Sequence, residues 1–173
     1  MEFDSIYKNA EPKNIKVILI GESPPAQRKN FFYFSPNSDL YNFTKLAFEN
    51  VYKDKIGKYK SFLDFFKSKG FFLDDLCRKP INDIKDEYKR GSERQYNIDN
   101  LSDRLIEYNL IVIIGIMKKI KDHISEAIRL AKIEPKYIFY LGYPTHNKRN
   151  ISNYVNGLED IIRKLIQEDV ISY

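Results

Sequence analysis

The sequence has little cysteine, since Cys77 is the only one among 173 residues. A single thiol cannot form an internal disulfide, and it cannot supply the several thiolates of a structural zinc site or an iron–sulfur cluster. The lone cysteine therefore favours a reducing compartment, and we expect a cytoplasmic protein.

Long apolar runs are also missing. The run from Leu110 to Met117 is far shorter than a membrane span. The first nine residues include Glu2, Asp4 and Lys8, so they lack the apolar segment of a secretory signal. We expect a soluble protein that is neither exported nor bound to a membrane.

Several common sequence patterns are absent as well. No predicted strand is followed by G-x-x-x-x-G-K-[ST], G-x-G-x-x-G or G-x-S-x-G, which weakens the hypothesis of a nucleotide-binding domain or an α/β hydrolase. The chain has no internal repeat, no low-complexity tract and no linker. We expect residues 1–173 to form a single domain, and a domain of this size buries about 70% of the surface of its unfolded chain.

The net charge of +5 is modest, but it is unevenly distributed. Residues 28–60 carry seven Lys or Arg against three Asp or Glu, residues 117–149 carry eight against three, and residues 150–173 are net negative. Basic stretches of this kind are found on solvated helix faces and on surfaces that bind nucleic acid. Charge alone leaves both interpretations open.

The hydrophobic pattern predicts alternating strands and helices. Apolar runs at Lys16–Ile20 and Leu110–Ile114 each end at a glycine, as in strands buried on both faces, and shorter candidates are Phe71–Leu73 and Tyr137–Leu141. Helical spacing is found in two groups: Ile116, Ile120, Ile124 and Ile128, and Tyr154, Val155, Leu158, Ile161, Ile162 and Leu165. This order predicts a three-layer α/β fold with a central, mainly parallel four-stranded sheet flanked by helices. The polar segment 78–100 is predicted to be a loop or a short exposed helix.

The first candidate site follows the first predicted strand, where the chain reads Gly21-Glu22-Ser23-Pro24-Pro25. Ligands of open α/β sheets bind outside the carboxyl ends of the strands, so this turn lies where a site is expected. The prolines fix the loop and the glycine permits a tight turn, which would hold Glu22 in place. The alternative is a turn whose glutamate is merely solvated.

Further segments resemble the uracil-DNA glycosylase superfamily in order and spacing. They are Gly21 to Pro25, Phe34-Ser35-Pro36-Asn37 with Leu40-Tyr41, Gly70 to Leu76 with Lys79-Pro80, Leu110 to Gly115 with Lys118, and Leu141 to Asn147. The resemblance covers about residues 15 to 166. It is nearest to the mismatch-specific and thermophile-type branches, although the chain lacks the iron–sulfur cysteines of the latter.

The resemblance implies a DNA glycosylase that hydrolyses the N-glycosidic bond of an extruded deaminated or damaged base. Glu22 would position and deprotonate the attacking water and stabilise the cationic sugar, and Phe34 would stack on the base. The implied base- and DNA-binding residues are Gly21, Ser23, Pro24, Phe34, Asp74, Asp75, Tyr143, Pro144, Thr145 and Asn147. The implied partner is DNA, single- or double-stranded, bound by a monomer without metal or cofactor.

The sequence departs from the family at two positions. Asp74 and Asp75 stand where many members have an amide, and an ionised carboxylate accepts hydrogen bonds without donating them, so it suits an amino or ring N–H edge better than a carbonyl. The alternative is that one of them caps a turn. Tyr143 stands where the most active members have histidine; His146 would take over that catalytic role, enter the DNA groove, or be an ordinary loop histidine. These departures keep open a second hypothesis, a catalytically weak or inactive DNA-binding protein of the same fold.

Overall fold

Four parallel strands form the centre of the molecule. The structure is a computed structural model that describes residues 2–34, 36–108, 110–145 and 147–173. The strands are β1 (Val17–Gly21), β2 (Phe71–Asp75), β3 (Val112–Gly115) and β4 (Tyr137–Tyr140), in the order β2-β1-β3-β4. The predicted three-layer α/β fold with a parallel four-stranded sheet is confirmed.

Helices cover both faces of this sheet. They are α1 (Glu2–Ala10), α2 (Asp39–Tyr52), α3 (Phe62–Ser68), α4 (Glu87–Tyr96), α5 (Ile98–Glu107), α6 (Lys121–Ala131) and α7 (Lys148–Gln167). Helix α2 packs on α7, and α5 packs on α6. Within the described ranges, no helix has both the length and the apolar composition that crossing a membrane requires.

The alternation of side chains along the strands assigns each helix pair to one face. Phe71 in β2 packs edge-on against Phe48 of α2. Phe71 pairs with Val17 of β1, and Gly115 in β3 pairs with Ile20, three residues further along β1. Since successive residues of a strand point to alternate faces, Phe71 and Gly115 face opposite sides of the sheet. A Cβ atom at residue 115 would lie 3.0 Å from a side-chain carbon of Ile124 in α6. The α2 and α6 pairs therefore cover opposite faces.

Strand β2 lies at an edge of the sheet, and a tyrosine covers its outer side. The hydroxyl of Tyr33 donates to the carbonyl of Leu73 at 2.7 Å and accepts from the amide of Leu73 at 2.8 Å. An edge strand leaves such backbone groups unpaired unless another group bonds to them. This bond fixes the aromatic segment 31–34 against the rim of β2.

The polar segment 78–100 is largely helical and does not form the loop that the sequence predicts. Residues 87–96 form α4, whose first turn is capped by Asp86, because its side chain accepts from the amides of Tyr88 and Lys89. A second helix, α5, begins at Ile98. The alternative of a short exposed helix is closer, but Arg94 is buried, so α4 is packed on the protein and not only solvated.

Candidate functional site

A cavity lies at the carboxyl ends of β1, β2 and β3. It has a volume of about 460 Å³ and is called here the strand-end cavity. Its lining includes Gly21, Glu22, Ser23, Pro24, Pro25, Phe31, Phe32, Leu40, Asp75, Met117 and Tyr143. This is the position at which open α/β sheets bind ligands. The structure therefore brings together the Gly21–Pro25 turn, one of the two aspartates and the start of the 143–147 loop.

The two neighbouring aspartates point to opposite faces of the sheet. Asp75 lines the strand-end cavity, where its carboxylate accepts a short hydrogen bond from the hydroxyl of Tyr7 in α1. Burial raises the pKa of the Asp75 carboxyl to about 7, and the charge of Asp74 acts in the same direction. Asp75 is therefore an acid whose protonation changes near neutral pH.

Asp74 takes no part in the cavity. Its carboxylate accepts from Nε and Nη2 of Arg78, at 2.9 and 3.0 Å, and from Nε of Arg104 at 2.8 Å. The backbone amide of Asp75 adds a fourth bond at 2.8 Å. The side chain is fully buried on the α5 side, so its hydrogen-bonding positions are occupied and it cannot contact a ligand in the strand-end cavity.

The turn after β1 is shaped by close contacts. A Cβ atom at residue 21 would overlap Oδ1 of Asp75, so the glycine is required by the approach of that carboxylate. Ser23 Oγ accepts from the amide of Ile81 at 3.4 Å, and Asn82 Oδ1 accepts from the amide of Ala26 at 3.1 Å. The turn is thus anchored to the segment that follows β2.

Glu22 is held between two arginines of α4. Its Oε1 accepts from Nε of Arg90 at 3.0 Å and from Nε of Arg94 at 2.6 Å, and its Oε2 forms a short ion pair with Nη2 of Arg90. The side chain of Glu22 is only 4% exposed. It is therefore fixed, as the sequence predicted, but by ion pairs that the sequence analysis did not include.

A second cavity of about 450 Å³ adjoins the first on the α4 side and is called here the cationic cavity. Both cavities are lined by Glu22, Arg90, Met117 and Tyr143, so they are direct neighbours. The cationic cavity is also lined by Arg94, Lys118, Lys119, Gly142, Thr145, Asn150 and Asn153. Part of the basic stretch 117–149 is therefore gathered at this site.

In the segment after β4, Tyr143 lines both cavities and Thr145 lines the cationic cavity. Burial raises the pKa of Tyr143 to about 12, so its phenol stays protonated at neutral pH. Pro144 is buried, and Thr145 Oγ1 accepts from Nδ2 of Asn150 at 2.8 Å. Asn147 caps α7, because its side chain accepts from the amide of Arg149. His146 lies outside the described residues.

Phe34 does not reach the strand-end cavity. It lines a separate hollow with residues of α1 and α3, and the guanidinium of Arg28 lies over its ring at 4.3 Å from the centroid. The bond between Tyr33 and Leu73 fixes this segment so that Phe31 and Phe32 face the cavity instead. The predicted stacking residue therefore lies away from Glu22 and Asp75, and the aromatic side chains of this segment that line the strand-end cavity are Phe31 and Phe32.

Three contributors to the site were missed at the sequence level. Arg90 and Arg94 lie in a segment that the sequence predicts to be a loop. Their spacing of four residues puts them on the same face only because the segment forms a helix, α4. Tyr7 lies 68 residues from Asp75. The aromatic run at 31–34 was a usable signal, but it did not specify which ring faces inward.

The described residues contain no group of three or more His, Cys, Asp or Glu side chains arranged to hold a metal ion. Comparison of the chain with protein-family models and with curated proteins finds no significant match.

Proposed function

We propose that this protein is a DNA glycosylase that holds one extruded base in the strand-end cavity. The observation that carries the proposal is the adjacency of two unlike cavities, which share Glu22, Met117 and Tyr143 in their linings. The strand-end cavity is lined by aromatic rings and by the carboxyl groups of Glu22, Asp39 and Asp75, which suit a base. The cationic cavity is lined by four cationic side chains, which suit the phosphates beside that base. Enzymes that act on a base must take it out of the stack, and they need both kinds of surface.

The base would lie between the 31–32 aromatic pair and Tyr143. Phe31 and Phe32 line the inner wall, and Tyr143, which is 37% exposed, offers an open ring. Asp75 is the carboxyl group that would recognise the base. With a pKa of about 7, it accepts from an amino or ring N–H when ionised and donates to a carbonyl oxygen when protonated. A carbonyl edge such as that of uracil therefore becomes compatible with this site.

Glu22 supplies the charge near the glycosidic bond. A carboxylate has about four lone-pair positions. The arginines occupy two at Oε1 and one at Oε2, which leaves one position to orient a water molecule. Orientation of the water is the role that this geometry supports best, because departure of the base leaves a cation-like sugar that any nearby nucleophile can capture.

The arginine pair also favours a second candidate function, a DNA-binding protein that recognises a base without cleaving it. Two guanidinium groups next to Glu22 leave this part of the site with net positive charge, which opposes a developing sugar cation. Under this hypothesis the strand-end cavity still accepts an extruded base, and the bond stays intact.

The two functions are separated by incubating the protein with oligonucleotides that carry uracil, hypoxanthine, xanthine or a thymine–guanine mismatch, each single- and double-stranded. Abasic sites are then revealed by alkaline cleavage. We expect excision of at least one base. Selective binding without excision would establish the second candidate. If the protein neither binds nor excises any of these bases selectively, both functions are excluded.

Glu22→Gln tests the catalytic assignment on whichever base is excised. The glutamine keeps the size of the side chain but loses its charge, and contributions from general acid–base groups are typically about 10²- to 10⁴-fold in rate. We expect single-turnover excision to fall by at least the lower of these factors, while DNA binding is retained or slightly tightened because a negative charge is removed. Excision at the parent rate would show that Glu22 only holds α4 in place.

A further inference from the structure

The cationic cavity carries more positive charge than its own contacts neutralise. Its lining contributes four cations, Arg90, Arg94, Lys118 and Lys119. Two carboxylates lie against them: Glu22 bonds to both arginines, and Glu87 contacts Arg94 at 2.9 Å and Lys119 at 3.6 Å. Four positive charges against two negative charges leave a net charge of about +2 in one concave site.

The arginines are fixed in place, and each keeps donors in reserve. Arg94 uses Nε and Nη1 for the two glutamates, and Arg90 uses Nε and Nη2 for Glu22. A guanidinium has five N–H donors. Nη2 of Arg94 and Nη1 of Arg90 have no acceptor among the described residues. Fixed guanidinium groups with unused donors are well suited to a tetrahedral oxyanion.

We propose that the four cations of this cavity bind a single phosphate group. The net charge of about +2 balances the charge of a phosphate monoester and exceeds the single negative charge of a diester. Amide side chains at Asn150 and Asn153 complete the lining with neutral polar groups. Since Glu22, Met117 and Tyr143 also line the strand-end cavity, this phosphate would be joined to the base bound there, so its position deepens the proposed function. Its source is a nucleic-acid strand or a free nucleotide.

The test is calorimetric titration of the protein with inorganic phosphate, with a deoxynucleoside monophosphate and with a short single-stranded oligonucleotide, at constant ionic strength set with chloride. The variant Lys118→Gln with Lys119→Gln removes two charges from the cavity. Its matched control is Lys58→Gln with Lys60→Gln, which removes two exposed charges at the far end of α2. We expect saturable phosphate binding that weakens at least roughly 10-fold in the first variant and is unchanged in the second.

Arg90→Lys distinguishes a built site from a diffuse positive field. It keeps the charge and a partner for Glu22 but removes the planar donor pair, so phosphate affinity should fall although the net charge is unchanged. Unchanged affinity in this variant, equal losses in the two lysine variants, or no saturable phosphate binding would overturn the proposal.

The source of the phosphate follows from competition. Displacement of phosphate by the oligonucleotide identifies a strand phosphodiester, and displacement by the monophosphate alone identifies a free nucleotide; either result supports the site. The readout is binding, so it is independent of excision. Phosphate binding without excision would support this site and exclude the glycosylase. Excision without phosphate binding would support the glycosylase and exclude this site.

Discussion

Asp74 and Asp75 show how strand geometry gives two identical neighbours different roles. Successive side chains of a strand point to opposite faces, so one carboxylate meets Arg78 and Arg104 while the other meets the cavity and Tyr7. The ion-paired carboxylate is structural. The carboxyl group of Asp75 accepts a hydrogen bond from the phenol of Tyr7, and its burial raises its pKa to about 7.

The raised pKa of Asp75 predicts a specific dependence of stability on pH. Because the folded protein binds this proton more tightly than the unfolded chain, with a usual pKa of about 3.9, stability falls as pH rises from about 4 towards 7. Asp75→Asn removes this contribution. As pH increases from about 4 to 7, the difference in free energy of unfolding between the variant and the parent should therefore increase in favour of the variant, by up to about 1.4 kcal/mol per pH unit.

Chemical denaturation at pH 5, 6, 7 and 8 measures this difference. Asp54→Asn, which changes an exposed aspartate at the opposite end of α2, serves as the control and should follow the parent at every pH. Parallel pH profiles for Asp75→Asn and the parent would contradict a carboxyl group that titrates near neutrality in the folded protein.

Helix α4 shows how an element can be built for its contacts and not for its own stability. Gly91 lowers its intrinsic helix propensity, and a helix of 10 residues is too short to be stable in isolation. Its N-cap Asp86 and the ion pairs of Arg90 and Arg94 with Glu22 offset this weakness. The element that carries the phosphate-binding arginines is thus stabilised by the catalytic candidate itself.

Gly91→Ala should strengthen this helix. A Cβ atom at residue 91 meets nothing within 4 Å, and its φ is not positive, so the alanine fits without strain. Replacing a helix-interior glycine by alanine typically adds about 0.5 to 1 kcal/mol. The midpoint of urea denaturation should rise by a corresponding amount while phosphate binding stays at the parent level; a lower midpoint would contradict the helical assignment of 87–96.

On the scale of the whole molecule, the two basic stretches of the sequence separate. Helix α2 begins beside the strand-end cavity and is 14 residues long, so the lysines that follow it lie about 20 Å from the cavity. Lys118 and Lys119, from the other stretch, lie at the cationic cavity, and Lys148 and Arg149 start the helix beside it. Under the proposed function, this second group is therefore better placed than Lys58 and Lys60 to contact DNA near an extruded base.

The dependence of DNA binding on salt tests this separation. Each phosphate contact adds roughly 0.9 to the slope of log affinity against log salt on duplex DNA. Lys148→Gln combined with Arg149→Gln should therefore lower the slope by roughly 1 to 2. The far-end pair Lys58→Gln and Lys60→Gln should leave it unchanged. Equal slopes for all three proteins would place the DNA elsewhere on the surface.

The sequence by itself determined the sheet and the place of the site. Continuous apolar runs that end at Gly21 and Gly115 are typical of strands buried on both faces, because both rows of side chains then pack against helices. A rigid turn after the first strand then marks the carboxyl edge of the sheet. These are local patterns, and they predicted the fold class and the position of Glu22 on a fixed turn.

Only the tertiary structure decided what the side chains at that edge contact. The partners of Glu22 lie 68 and 72 residues away in the sequence, and the partner of Asp75 lies 68 residues away. Phe31 and Phe32 line the strand-end cavity in place of the predicted Phe34, because the hydroxyl of Tyr33 is hydrogen-bonded to the edge of β2. Such contacts depend on how distant elements pack, and hydrophobic periodicity carries no information about polar partners across that distance.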